Sequence, residues 1–138
     1  MQAVESKFQN QRSKTELFEF QNWDVYQRSI KMVTQCRSIS NQNKAIGIKG
    51  FNDQLTRASL SIPLNIAEGI SRFGVKEKLN FLRVAKGSVF ECVACLDVLF
   101  DLECLEISEY RKLVKELSEI GKMLSGLIRA VKERDSKD

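Results

Sequence analysis

Four stretches of the chain carry apolar residues every three or four positions, a spacing that lines up side chains along one face of an α-helix. The pattern predicts helices over about 17–40, 52–73, 75–105 and 108–133. The third stretch is the most regular, with its seam at Leu79, Leu82, Ala85, Val89, Cys92, Leu96 and Leu99. Four helices with short connections bury such seams most simply as an antiparallel up-down-up-down four-helix bundle. The predicted fold class is therefore all-α.

The ends of the 138-residue chain are more polar than the predicted helices. We expect residues 1–16 to form a flexible polar N-terminal arm, residues 17–134 to fold as one domain and residues 135–138 to fray. Seven glycines and one proline leave little sequence for a turn-rich β architecture. Neither a signal peptide nor an apolar run of the roughly 20 residues that cross a bilayer is recognisable, so we expect a soluble cytoplasmic protein.

The second predicted helix contains the segment SLSIPLNIAEGISR, in which a proline, an asparagine and a glutamate interrupt the apolar residues. On a helical wheel its apolar residues divide between two faces, of which one suits the core. The other face consists of Leu60, Leu64 and Ala67, and we predict that it mediates self-association. The alternative is that the first helix or the N-terminal arm folds over it.

A polar stripe lies between these two faces and points towards small residues of the third helix. We predict that it forms a structural network of hydrogen bonds and ion pairs between the two helices, composed of Arg57, Ser61, Asn65, Glu68, Ser88 and Glu91. Ligand binding or partner binding is an alternative. Catalysis by Glu68 and Glu91 as paired carboxylates is disfavoured, because the pattern supplies no nucleophile, metal site or cradle for a substrate. We therefore predict that the protein is not an enzyme.

Cys92 and Cys95 form a C-x-x-C pair, which raises the question of zinc or redox chemistry. The chain has no histidine and no second C-x-x-C, and both thiols lie inside a long helical pattern. We interpret them as small apolar core residues and predict neither a metal nor another cofactor.

Positive charge is concentrated in the middle of the chain, although the net charge of the whole is only +4. Its densest part consists of Arg72, Lys76, Lys78, Arg83 and Lys86, opposed within that run by Glu77. Such a cluster predicts salt-sensitive binding to the phosphates of RNA or DNA without sequence readout. The alternatives are an ordinary solvated face and a surface that docks another protein without contacting nucleic acid.

The run QLTRASLSIPLNIAEGISRFGVKEKLNFLRVAKGSVFECVACLDV resembles the signature of bacterial four-helix-bundle proteins encoded in 23S ribosomal RNA intervening sequences. Relatives of that family include the accessory variability determinant proteins of diversity-generating retroelements. The most specific feature is SIPLNIAEG followed by AKGSVFE, and Lys86 departs from the family's usual smaller or apolar residue. The resemblance implies a homopentameric barrel without enzymatic activity. It also implies a basic surface, which in the retroelement branch binds nucleic acid and a reverse transcriptase.

Overall fold

The computed structural model describes residues 6–11, 18–42 and 49–137. These ranges contain no strand, and their α-helices are α1 (Lys7–Gln11), α2 (Asp24–Gln42), α3 (Lys49–Ser71), α4 (Val75–Asp101) and α5 (Ile107–Lys137). The all-α prediction is confirmed. Most of the predicted N-terminal arm, and most of the connection between the first two predicted helices, lie outside the described residues. No helix within these ranges combines the length and the hydropathy of a membrane span.

The first long helix begins later than its apolar pattern predicts. A short 3₁₀ helix over Glu19–Asn22 precedes it, and Trp23 then takes an extended conformation with φ −70° and ψ 134°. The regular helix starts at Asp24, whose carboxylate suits the positive end of a helix dipole. Aromatic residues before Asp24 fit the apolar spacing of the helix, but they pack on other aromatic rings, as in the edge-to-face contact of Phe20 with Tyr26.

The boundary between α4 and α5 also differs from the prediction. The helix α4 ends at Asp101, and Glu103 follows in the left-handed region with φ 60°. The amide of Glu103 donates to the carbonyl of Phe100, and the amide of Cys104 donates to that of Leu99, the two bonds of a Schellman motif. The next helix starts at Ile107, because the amide of Tyr110 donates to the carbonyl of Glu106. Ser108 therefore lies in the first turn of α5 instead of capping it.

The helices α2 to α5 share one apolar core, and consecutive helices contact each other most extensively. Residue pairs fix the direction of two of these contacts. Gly69 lies against Phe81, and Ser61 lies against Ser88, so α4 runs antiparallel to α3. Gly121 lies against Val89, and Tyr110 bonds Asp97, so α5 runs antiparallel to α4. All seven seam residues predicted for the third helix are buried.

All of the SLSIPLNIAEGISR segment except Arg72 lies in one continuous helix. The helix α3 runs through the fully buried Pro63 to Ser71, and the hydroxyl of buried Ser59 donates to the carbonyl of Thr56 at 3.0 Å. Gly69 is buried where α3 meets α4, and a Cβ placed there would lie 3.2 Å from the Cβ of Phe81 and 3.4 Å from the carbonyl oxygen of Lys78. The glycine thus permits a close approach of the two helices.

Replacing Gly69 by Ala is expected to lower the free energy of unfolding by about 1 to 2 kcal/mol, because the added methyl meets atoms held on a rigid helix. Gly87→Ala is the matched control. It lies in an exposed helix interior with no atom within 4 Å of the added Cβ, so it should stabilise the fold by up to about 1 kcal/mol. Urea unfolding of both variants measures the difference. Equal effects of the same sign would contradict the close-approach role of Gly69.

Candidate nucleic-acid interface

Arg72 and Lys78 of the predicted basic cluster are engaged within the fold. The guanidinium of Arg72 stacks over the ring of Phe81, 4.9 Å from its centroid, and lies 3.1 Å from the carboxylate of Glu68 and 4.0 Å from that of Glu77. The ammonium of Lys78 donates to the carbonyl of Ile70 at 3.2 Å, which satisfies a backbone acceptor in the last turn of α3. These two cations therefore brace the junction of α3 and α4.

Lys76 and Arg83 occupy a different environment, on the outer face of α4. Both side chains are exposed, and neither forms an ion pair with any residue that the structure describes. They are seven residues apart, so they lie on one helix face about 10 Å from each other along the axis. Lys86 lies to one side of them and is only half exposed, because it turns towards α5. The five predicted residues are thus not one patch.

The helix α5 carries a line of cations that the sequence analysis missed. Exposed side chains at spacings of 4, 7 and 7 residues lie on its outer face: Arg111, Lys115, Lys122 and Arg129. Only one of them forms an ion pair in the described chain, between Lys122 and Glu119 at 3.6 Å, which is exposed and weak. Residues 91–138 contain 11 acidic and 8 basic residues, so the net charge of this segment is negative and conceals the line of cations. The spacing of 4 and 7 was the signal that could have found this line.

The face where α4 meets α5 is recessed and apolar. A groove of about 680 Å³ runs between the two helices, and we call it the α4–α5 groove. Its α4 side is formed by Lys86, Val89, Phe90 and Val93, and Phe90 is 66% exposed. The recess exists because the facing part of α5 has small side chains at Ser118, Gly121 and Ser125. A recess of this volume with a mostly apolar lining is typical of a binding site.

The predicted polar network forms in part. The hydroxyl of Ser88 on α4 donates to the hydroxyl of Ser61 on α3 at 2.7 Å, and this bond joins the two helices. The side-chain amide of Asn65 also donates to the Ser61 hydroxyl, at 2.9 Å. The carboxylate of Glu91 accepts a hydrogen bond from the side-chain amide of Gln54 at 2.6 Å. Gln54 was not among the residues predicted for the network. Glu68 lies apart from this group and pairs with Arg72. Arg57 is exposed and forms no ion pair in the described chain.

The second apolar face of α3 is exposed on the molecule. Leu60 and Leu64 are 43% and 54% exposed, and Ala67 beside them is half buried. We call these three residues the α3 ridge. Neither the first long helix nor the described part of the N-terminal segment covers them.

The cysteines of the C-x-x-C pair point into the protein. Cys92 contacts Cys36, and this contact and burial raise the pKa of the Cys92 thiol, while burial raises that of Cys95. Both thiols stay protonated at neutral pH, the form that is neither nucleophile nor metal ligand. In the described ranges no three histidine, cysteine or carboxylate side chains come together as a metal site.

Comparison with known proteins found one matching family model and a similar solved fold. The family model of the 23S rRNA-intervening sequence protein matches residues 21–126. The structure is similar to a crystal structure of a protein with unknown function from the S23 ribosomal protein family of Bacteroides thetaiotaomicron, with a TM-score of 0.71. The two share 21% sequence identity over 75% of this chain and 97% of that one, so the likeness shows the fold alone. A comparison with curated protein sequences gave no match.

Proposed function

Because this chain belongs to the 23S rRNA-intervening sequence protein family, we propose that it is a non-enzymatic protein that self-associates and binds nucleic acid through backbone phosphates. In this proposal α2 to α5 form an antiparallel four-helix bundle, and copies of the bundle assemble into a five-fold ring. A ring would repeat each basic face and so strengthen its attraction for RNA or DNA.

The exposed cations on the outer faces of α4 and α5 are the observation that supports this function best. Lys76 and Arg83 are free of ion pairs in the described chain, and the cations of α5 extend along most of that neighbouring helix. Exposed cations on two adjacent helices suit a nucleic-acid backbone, because each phosphate that they neutralise releases bound counterions. Nothing in this geometry reads base edges, so the expected preference is for charge and shape instead of sequence.

Binding to a labelled RNA hairpin, followed by fluorescence anisotropy over a range of salt concentrations, tests the proposal. We expect the logarithm of the association constant to fall linearly with the logarithm of salt concentration. The double reversal Lys76→Glu with Arg83→Glu should weaken binding at low salt by about tenfold or more, and should reduce the slope by about two.

The matched control reverses the same number of charges elsewhere. Arg37 on α2 and Lys112 on α5 are exposed and lie away from these two outer faces, so Arg37→Glu with Lys112→Glu changes the net charge equally. This control should retain most of the affinity. Absence of RNA binding at low salt would overturn the function, and an equal loss in both double variants would show that only net charge matters.

A second function is favoured by the α4–α5 groove. An adaptor that docks another protein, such as a reverse transcriptase, would use an apolar recess more readily than a basic face. In that case the groove variant Phe90→Glu would lose the protein partner, while the double reversal on α4 would leave that binding intact.

A further inference from the structure

The turn between α3 and α4 carries an aromatic side chain that nothing in the fold covers. Phe73 has a relative exposure of 102%, the largest among the described large apolar residues. Within the described chain no other ring and no cation contacts it, and the neighbouring Arg72 stacks on Phe81 instead. The folded chain therefore gains no apolar burial from Phe73, and both faces of its ring are open to a ligand.

A single exposed apolar residue is ordinary on a protein surface, but the turn that carries Phe73 is held from both sides. Before it, the guanidinium of Arg72 is stacked on the ring of Phe81. After it, the ammonium of Lys78 donates to the carbonyl of Ile70 and so ties α4 back to α3. The backbone position of the ring is thus fixed in advance, and binding on it costs little conformational entropy.

The surface beside Phe73 is cationic and polar. Lys76 follows in the first turn of α4, and Asn80 and Arg83 continue from it at spacings of 4 and 3 residues, on one face of the helix. All three side chains are exposed, and neither cation forms an ion pair in the described chain. One open aromatic ring therefore stands at the end of a line that carries two uncompensated positive charges.

The acidic side chains of this region do not cancel those charges. Residues 68–83 contain four basic and two acidic residues. The two acids, Glu68 and Glu77, lie 3.1 Å and 4.0 Å from the guanidinium of Arg72, so they are balanced within the turn. An anion that approaches Lys76 and Arg83 thus meets net positive charge.

We propose that an unpaired base of a single-stranded nucleic acid stacks on Phe73, while the adjoining phosphates lie on Lys76 and Arg83. This inference rests on the nucleic-acid binding of the proposed function and names its ligand as a strand with free bases, such as a hairpin loop. The bases of a duplex are hidden in their own stack, whereas unstacked bases pair face to face with aromatic side chains. Every base has such a face, so the contact is independent of sequence.

A protein partner fits this turn less well. The aromatic anchors of protein interfaces are surrounded by further contacts that exclude water. Phe73 has Arg72 and Gly74 on either side of it, and the next apolar residues, Ile70 and Val75, are half-buried against the fold. No apolar rim therefore surrounds the ring. A flat base needs none, because stacking uses only the face of the ring.

Fluorescence anisotropy with two probes tests this inference. One probe is a labelled oligouridylate, which has unpaired bases, and the other is a blunt RNA duplex with the same number of phosphates. Phe73→Leu keeps the apolar bulk but removes the aromatic face, so it should weaken binding of the oligouridylate by about fivefold or more and leave binding of the duplex unchanged. Phe73→Tyr keeps the aromatic face and should retain most of the affinity for the oligouridylate.

The matched control is Phe51→Leu. Phe51 is 43% exposed at the opposite end of α3, about 30 Å away along the helix axis. The same substitution there should leave the affinity for both probes unchanged. The urea midpoint of Phe73→Leu should equal that of the unaltered chain, because the side chain of Phe73 is not packed in the fold.

The outcomes separate this inference from the proposed function. If Phe73→Leu binds the oligouridylate as well as the unaltered chain does, while Lys76→Glu with Arg83→Glu weakens that binding, the inference is wrong and the function stands. An equal loss of duplex binding in Phe73→Leu would also overturn the inference, since a duplex offers no free base. If neither probe binds at low salt, the function fails and the inference fails with it.

Discussion

Ile62→Ala is expected to lower the free energy of unfolding by about 2 to 5 kcal/mol, the largest effect of the substitutions considered for this chain. The side chain of Ile62 has no exposed surface and packs in the core shared by α2 to α5. Its removal loses apolar burial and leaves a cavity that the buried neighbours Ala58 and Ile66 are too fixed in the helix to fill. Urea unfolding at low protein concentration measures the loss.

Leu64→Ala is the control for this prediction, two residues further along the same helix. Because Leu64 is 54% exposed, its truncation should change the stability of the monomer by no more than about 0.5 kcal/mol. If the α3 ridge docks on a second copy, the cost of Leu64→Ala should grow with protein concentration, since association stabilises the folded state. Similar losses for both substitutions in the monomer would contradict the assignment of two different faces to α3.

Arg28→Met is expected to cost about 1.5 to 3 kcal/mol, the second large effect. Arg28 on α2 donates to the carboxylate of Glu116 on α5, and both side chains are no more than about a third exposed. This hydrogen bond raises the pKa of Arg28, which is therefore charged at every pH in ordinary use. Methionine keeps much of the stem's packing but leaves the carboxylate of Glu116 beside the core without its donor.

A surface ion pair of the same protein provides the comparison. Lys122 and Glu119 lie one turn apart on α5, 3.6 Å from each other, with side chains 73% and 41% exposed. Glu119→Gln should change stability by less than about 0.5 kcal/mol. Thermal unfolding in low salt and high salt would separate the cases further. Equal losses of stability for Arg28→Met and Glu119→Gln would show that the ion pair between α2 and α5 contributes no more than an exposed one.

The helices of this protein were largely predictable because each buries one face. The spacing of Leu79, Leu82 and Leu99 placed them in the core, and the structure buries all three. The ends were less predictable, since they depend on single hydrogen bonds. The first hydrogen bond of α5 is the one that the carbonyl of Glu106 accepts. After the end of α4, Glu103 takes the left-handed conformation, although glycine is the usual residue at that position.

The candidate site was harder to predict, because the order of charges along a sequence does not show which side chains point outward and which are paired within the fold. Arg72 and Arg83, for example, looked alike until the structure showed which of the two cations is held by the fold. Arg72 is occupied by Phe81 and Glu68, whereas Arg83 points outward. The cations of α5 were hidden in a segment of negative net charge. The α4–α5 groove could not be foreseen, since it depends on which residues of α4 lie opposite the small side chains around Gly121.

The order in which the helices contact one another also bears on how the chain folds. The helices α3 and α4, then α4 and α5, meet through short turns, so most of the fold is assembled from segments close in sequence. Closing such short loops costs little chain entropy, and a topology of local contacts folds fast. The contact of α2 with α5, where Arg28 meets Glu116, joins the distant ends and forms at the highest entropic cost. The contact between α2 and α5 is also less extensive than the contacts between consecutive long helices, so transient opening of the folded chain should begin there.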